Sequence, residues 1–81
     1  MNAPDIDSVI ADVMSALLLK TVQPGENIIR KNEARWDSLM HMEIIYSIEA
    51  AYEIEFVLDD IVAINDLAGL KSIIEMYLAK K

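Results

Sequence analysis

Eighty-one residues, 54% hydrophobic and 26% charged, suffice for one small domain and not for two independent cores. Fourteen acids against seven bases give a formal charge of −7, which sets the chain against phosphate backbones and argues against nucleic acid as a partner. With no Cys and one His there is no disulfide, no thiolate or His-cluster metal site and no Cys nucleophile. The start, Met1 to Ser8, has no basic region, and the longest purely aliphatic stretch is Ala16 to Leu19, so a cytoplasmic chain without a membrane span is expected.

Two Gly and two Pro in the whole chain favour helices over sheet. The expected fold is all-α: a single domain over residues 1–81, built as a small four-helix bundle with three longer helices, one short third helix and a long loop between the first two. Asp5, Asp7 and Ser8 offer caps before Ile6, Ile10, Val13 and Leu17, which recur at three and four residues with Val9 and Met14 beside them, and predict a first helix over about residues 5–20. Thr21 to Arg35 reads as a loop, with Pro24-Gly25 as its turn and Ile28 and Ile29 as its only apolar anchors. From Ser38 to Ile54 there is no Gly or Pro, so the second helix starts at Asp37 or Ser38 and ends near Glu53. Asp59-Asp60 ahead of Ile61, Val62 and Ile64 marks the short third helix. Asn65 or Asp66 caps a fourth, running through Leu67, Leu70, Ile73, Ile74 and Tyr77 to Lys80. Gly69 is mildly unfavourable inside it, while Lys80 and Lys81 suit its negative pole.

The second helix is unusual. At about 100° per residue, Ile44, Ile45, Ile48, Ala51 and Tyr52 gather on the side expected to face the core. The opposite side carries Leu39, Met42, Tyr46 and Ala50 interleaved with Glu43, Glu49 and Glu53, and a lone domain has no second core to cover them. Between Trp36 and Leu70 there are eight acids and no Lys or Arg; that segment carries −8, and the other residues, with seven bases and six acids, sum to +1. The acidity is thus local. A patch of this kind steers a basic partner, although acidic faces also occur simply as solvated surface.

Ser38 stands where the loop becomes this helix, with its hydroxyl exposed and beside unpaired backbone N–H groups. A phosphodiester on Ser38 would be stabilised by the positive pole of the helix. Taken alone, Asp37-Ser38-Leu39 favours the plainer reading, in which Ser38 or Asp37 acts only as the N-cap.

The surrounding run Trp36-Asp37-Ser38-Leu39-Met40-His41-Met42-Glu43, continued by Ile48-Glu49-Ala50-Ala51-Tyr52-Glu53-Ile54-Glu55-Phe56, resembles the acyl carrier proteins and their peptidyl and aminoacyl carrier relatives. Outside Trp36 to Phe56 only the four-helix pattern, the length and the acidity agree. The resemblance implies that Ser38 receives 4′-phosphopantetheine from coenzyme A through a phosphopantetheinyl transferase, with Asp37 and Leu39 as its flanking motif. It further implies that the arm carries acyl or aminoacyl groups as thioesters to acyl-activating and acyl-transferring enzymes, in fatty-acid or polyketide-like biosynthesis. Leu39, Met40, Met42, Glu43, Tyr46, Glu49 and Glu53 would form the face on which those basic enzymes dock, and the protein would act as a monomer. Many carriers have Gly before the Asp and a small or acidic residue after the Leu. Here Arg35-Trp36 precede and Met40 follows, which points to a carrier outside the main fatty-acid pathway. Trp36 is expected to pack as core in preference to forming part of the rim seen by the transferase.

Two other readings compete. Asp37, Ser38 and His41 contain the atoms of a Ser-His-Asp triad, but an 81-residue bundle with Ser38 on its surface offers no water-excluding pocket with oxyanion donors, so no catalysis by the chain itself is expected. His41 is instead expected to be partly buried or a docking residue. The rival to the carrier is an unmodified acidic helical adaptor that binds a basic partner protein through the same face. Asp59 and Asp60 lack the Gly and spaced oxygens of a calcium loop.

Overall fold

Ile10, Ala11, Met14 and Leu18 recur on one side of α1 (Ile6–Leu18) and are buried there against α2 (Ser38–Tyr52) and α4 (Leu67–Lys80). A computed structural model describes residues 5–80; among them the chain is all-helical, with a short α3 (Leu58–Ala63) completing four α-helices and a single 3₁₀ turn at Arg30–Asn32. Residues 1–4 and Lys81, which was expected beside Lys80, lie outside the described residues. Met14, Leu18, Ile44, Ile45, Ile48, Ile64, Leu70 and Ile74 are fully buried and make one continuous core. Among the described residues no helix is long and apolar enough to cross a membrane.

The helix ends differ in chemistry. Asp5 occupies the N-cap of α1, yet its side chain makes no capping hydrogen bond, contrary to the expected cap. Asp7 turns instead to α4 and pairs with Lys71 at 3.0 Å. The helix stops short of the predicted residue 20 because Leu19 adopts the left-handed conformation, with φ 57°. In α4 the choice between Asn65 and Asp66 falls to Asp66, whose Oδ1 accepts from the Gly69 amide at 2.7 Å. A Cβ at Gly69 would lie 2.9 Å from that same oxygen, so the glycine leaves room for the cap.

The segment between α1 and α2 is tied down more closely than its composition suggests. Val22 is buried and its amide donates to Ser15 Oγ at 2.9 Å. Asn27 Oδ1 accepts from the Ala68 amide, Ile28 O accepts from Leu67, and the Arg30 amide donates to Asn65 O, which fastens the segment to the start of α4. Val22 and Ile28 are therefore its buried anchors. Ile29 is not one: successive side chains of extended backbone point to opposite sides, so with Ile28 inward Ile29 faces out and holds through an isolated backbone bridge to Asp66.

Candidate functional site

Asp37 and Ser38 divide the roles that the tripeptide left open. Asp37 is the N-cap of α2: its backbone is extended and its Oδ1 accepts from the Met40 amide at 2.8 Å. Ser38 is the first helical residue, exposed, and its hydroxyl makes no hydrogen bond to the described residues. The Ser38 and Leu39 amides have no acceptor within the helix, so a free hydroxyl and two unsatisfied donors share the positive end of a fifteen-residue helix. Arg35, Asp37, Leu39, Met40 and Glu43 line a shallow depression of about 270 Å³ on this surface. Chemically, the arrangement suits an accessible nucleophilic oxygen whose ester would carry negative charge.

Beneath it lies a buried polar chain. Trp36 is 3% exposed and His41 5%. The Trp36 indole N–H donates to His41 Nδ1 at 2.9 Å, and His41 Nε2 is 2.8 Å from Ile61 O in α3. Because an indole N–H can only donate and a carbonyl only accept, Nδ1 is the acceptor and Nε2 carries the proton, which fixes the imidazole tautomer. Both ring nitrogens are engaged inside the fold, so His41 is not placed to take a proton from Ser38. His41 is a core residue, not a docking one, because it stands in the same stripe as Ile44, Ile45 and Ile48. The loop that delivers Trp36 is braced by Glu33, whose carboxyl is held below its ordinary range, chiefly by the Lys20 side chain bonded to it.

The acidic helix presents a narrower outer face than expected. Leu39 is 75% exposed and Tyr46 59%, with Glu43, Ala50 and Glu53 also exposed. Met40 and Met42 are half-buried and packed against the core. Glu49 is half-buried too, its Oε2 accepting from the Phe56 amide at 2.8 Å, so it serves the turn after α2. Ala51, expected inside, is exposed, and Tyr52 is half-buried. The reason is angular: at about 100° per residue, Met42 and Glu49 lie about 80–100° from the inward stripe on one side and Ala51 about 80° on the other, so all three fall on the flanks. α3 adds exposed Leu58 and Val62 beside Asp59.

The pairing of Trp36 with His41 was not foreseen. Its signal was present in the spacing: His41, Ile45, Ile48 and Tyr52 follow one helical stripe, and a polar residue on that stripe needs a buried partner. Compared with protein families, curated proteins and solved structures, the chain finds no match.

Proposed function

We propose that this chain is a carrier protein: Ser38 bears a 4′-phosphopantetheine arm on which acyl or aminoacyl groups travel as thioesters between partner enzymes. The observation that carries the reading is the unbonded, solvent-facing hydroxyl of Ser38 at the first position of α2, next to a cap supplied by Asp37 and not by itself. Had Ser38 been the cap, its oxygen would be occupied by a backbone amide. In a transferase, Ser38 Oγ would attack the phosphorus nearer the pantetheine in coenzyme A. The new O–P bond replaces the pyrophosphate P–O bond, adenosine 3′,5′-bisphosphate leaves, and the hydroxyl proton passes to the transferase's base. The chain's part is to present the oxygen and to offer the Ser38 and Leu39 amides and the helix dipole to the resulting phosphodiester.

The arm supplies a reactive thiol that this Cys-free chain lacks. Tethering then raises the local concentration of cargo at each docked enzyme. Leu39, Glu43, Tyr46 and Glu53 make the exposed part of the docking face, with Met40 and Met42 supporting it from its flanks. Apolar side chains between acids suit basic enzyme surfaces with an apolar centre. The protein contributes no bond chemistry of its own, and it works as a cytoplasmic monomer in a biosynthetic pathway that assembles acyl chains.

The test is incubation with coenzyme A and a broad-specificity phosphopantetheinyl transferase, followed by intact mass. Wild type should gain one arm and Ser38→Ala none. A wild type left unmodified under conditions that load a known carrier would favour the adaptor, which docks through the same face without modification.

A further inference from the structure

Trp36 is held from three sides. Its amide donates to Glu33 O at 3.0 Å, its carbonyl accepts from Arg30 Nε at 3.2 Å, and its indole N–H donates to His41 Nδ1 at 2.9 Å, the two rings lying nearly in one plane, 24° apart. His41 passes the connection on to Ile61 O, within the six-residue α3. Ser38, two residues beyond Trp36, has no hydrogen bond of its own through its hydroxyl, so its placement is inherited from Trp36 below and the Asp37 cap beside it. An aliphatic side chain at position 41 would fill the same place in the stripe without the cost of burying an imidazole. What the imidazole adds is direction: two oriented hydrogen bonds that join the approach to Ser38, the first turn of α2 and the end of α3 into one rigid surface.

Resting on the carrier reading, we propose that Trp36 and His41 are positioning residues for the modification of Ser38. The indole-to-imidazole bond keeps Asp37-Ser38-Leu39 in the arrangement that the transferase binds, and without it that arrangement is only a fraction of the population. A transferase that accepts one arrangement then shows a KM raised in inverse proportion to that fraction, while kcat on the bound complex stays nearly the same.

Three variants separate this role from simple core filling. Trp36→Phe keeps an aromatic ring and removes the N–H. His41→Asn keeps an oxygen near the position of Nδ1, so it still accepts from Trp36 but gives up Ile61. His41→Gln keeps a donor near the position of Nε2, so it still reaches Ile61 but gives up Trp36. The chain has one Trp, so one indole N–H resonance reports the bond directly. We expect Trp36→Phe and His41→Gln to raise the KM for modification about tenfold at nearly constant kcat, and His41→Asn to stay within about twofold of wild type with its indole resonance still hydrogen-bonded. Equal KM values in wild type, Trp36→Phe and His41→Gln would overturn the inference. So would a His41→Asn variant that keeps the indole bond and is nonetheless as impaired as His41→Gln. A wild type that takes up no arm overturns the carrier reading itself, and this inference with it, and is distinguished by failing before any variant is compared.

Discussion

The hydroxyl of Tyr77, near the end of α4, donates to Asp60 Oδ2 at 2.6 Å and so joins the last helix to the shortest one. The same oxygen accepts from the Val57 amide at 2.9 Å, filling one of the donors that the uncapped start of α3 leaves open. With His41 bonded to Ile61 O, α3 is thus held near both ends by side chains of the two helices that flank it in sequence. Six residues cannot sustain a helix alone, so its order depends on these clamps and on the burial of Ile61.

That relationship predicts an alkaline weakness. The bond to Asp60 raises the Tyr77 phenol above its ordinary 10.0, against the smaller opposing pull of the Val57 amide. A group whose folded pKa is raised contributes stability that is whole below the unfolded value and is lost as pH climbs through the folded one. Tyr52, raised by burial first and by Asp5 second, adds in the same direction. Urea midpoints should therefore fall as pH rises beyond about 10, and Tyr77→Phe should be less stable at neutral pH but show a shallower alkaline fall. Parallel alkaline profiles for the two proteins would remove Tyr77 from this account.

The end of α1 predicts a gain. Leu19 is 72% exposed and sits at φ 57°, ψ 41°, a conformation that costs a residue with a Cβ about 1 kcal/mol or somewhat more. Its side chain has little burial to lose. Leu19→Gly should leave the fold unchanged and stabilise it by about 0.5–1 kcal/mol, read as a higher urea midpoint at constant slope. A lowered midpoint would mean that the Leu19 side chain contributes packing that its exposure does not suggest.

At the start of α4 two residues should fail to add. Gly to Ala inside a helix gains about 1 kcal/mol, but here the new Cβ meets the Asp66 oxygen that caps the helix, a contact worth about the same. Gly69→Ala alone should be close to neutral. In an Asp66→Ala background, where the oxygen is gone, the same change should stabilise by about 1 kcal/mol. Equal effects in both backgrounds, measured by urea denaturation, would show that Asp66 turns aside at no cost.

How far the sequence leads can be judged from these residues. The four helices were legible because caps, breakers and periodicity are local, and Asp37 and Asp66 stand at the boundaries where such signals act. The candidate site was legible as a place, since Ser38 follows directly from the boundary. Its support was not. Whether Glu49 turns back to Phe56 and whether Tyr77 reaches Asp60 depend on contacts between residues seven and seventeen positions apart, which no local period encodes, and the stripe that puts His41 inside does not name Trp36, which lies outside the helix, as its partner. The outer face of α2 was drawn too wide because Met42 and Glu49, about 80–100° from the inward stripe, were counted with it: at such flank positions the period alone does not decide burial.

The narrower face also sharpens the docking prediction. Glu49 is a poor probe, since reversing its charge would break the bond to the Phe56 amide and disturb the turn as well as the field. Glu43 and Glu53 are both exposed, and neither side chain makes a hydrogen bond or ion pair with the described residues. A Glu43→Lys, Glu53→Lys variant should keep its helical spectrum while its kcat/KM with the transferase falls about tenfold at low salt, because complementary charge acts mainly on the rate of encounter. The deficit should shrink as ionic strength rises and the Debye length contracts from about 30 Å at 0.01 M to about 8 Å at 0.15 M. Glu53 further occupies the left-handed end of α2, at φ 55°. Glu53→Gly should accordingly raise stability while slowing docking, two changes of opposite sign from one substitution. If docking rates at low salt are the same for wild type and both variants, partners approach from some other side of the molecule.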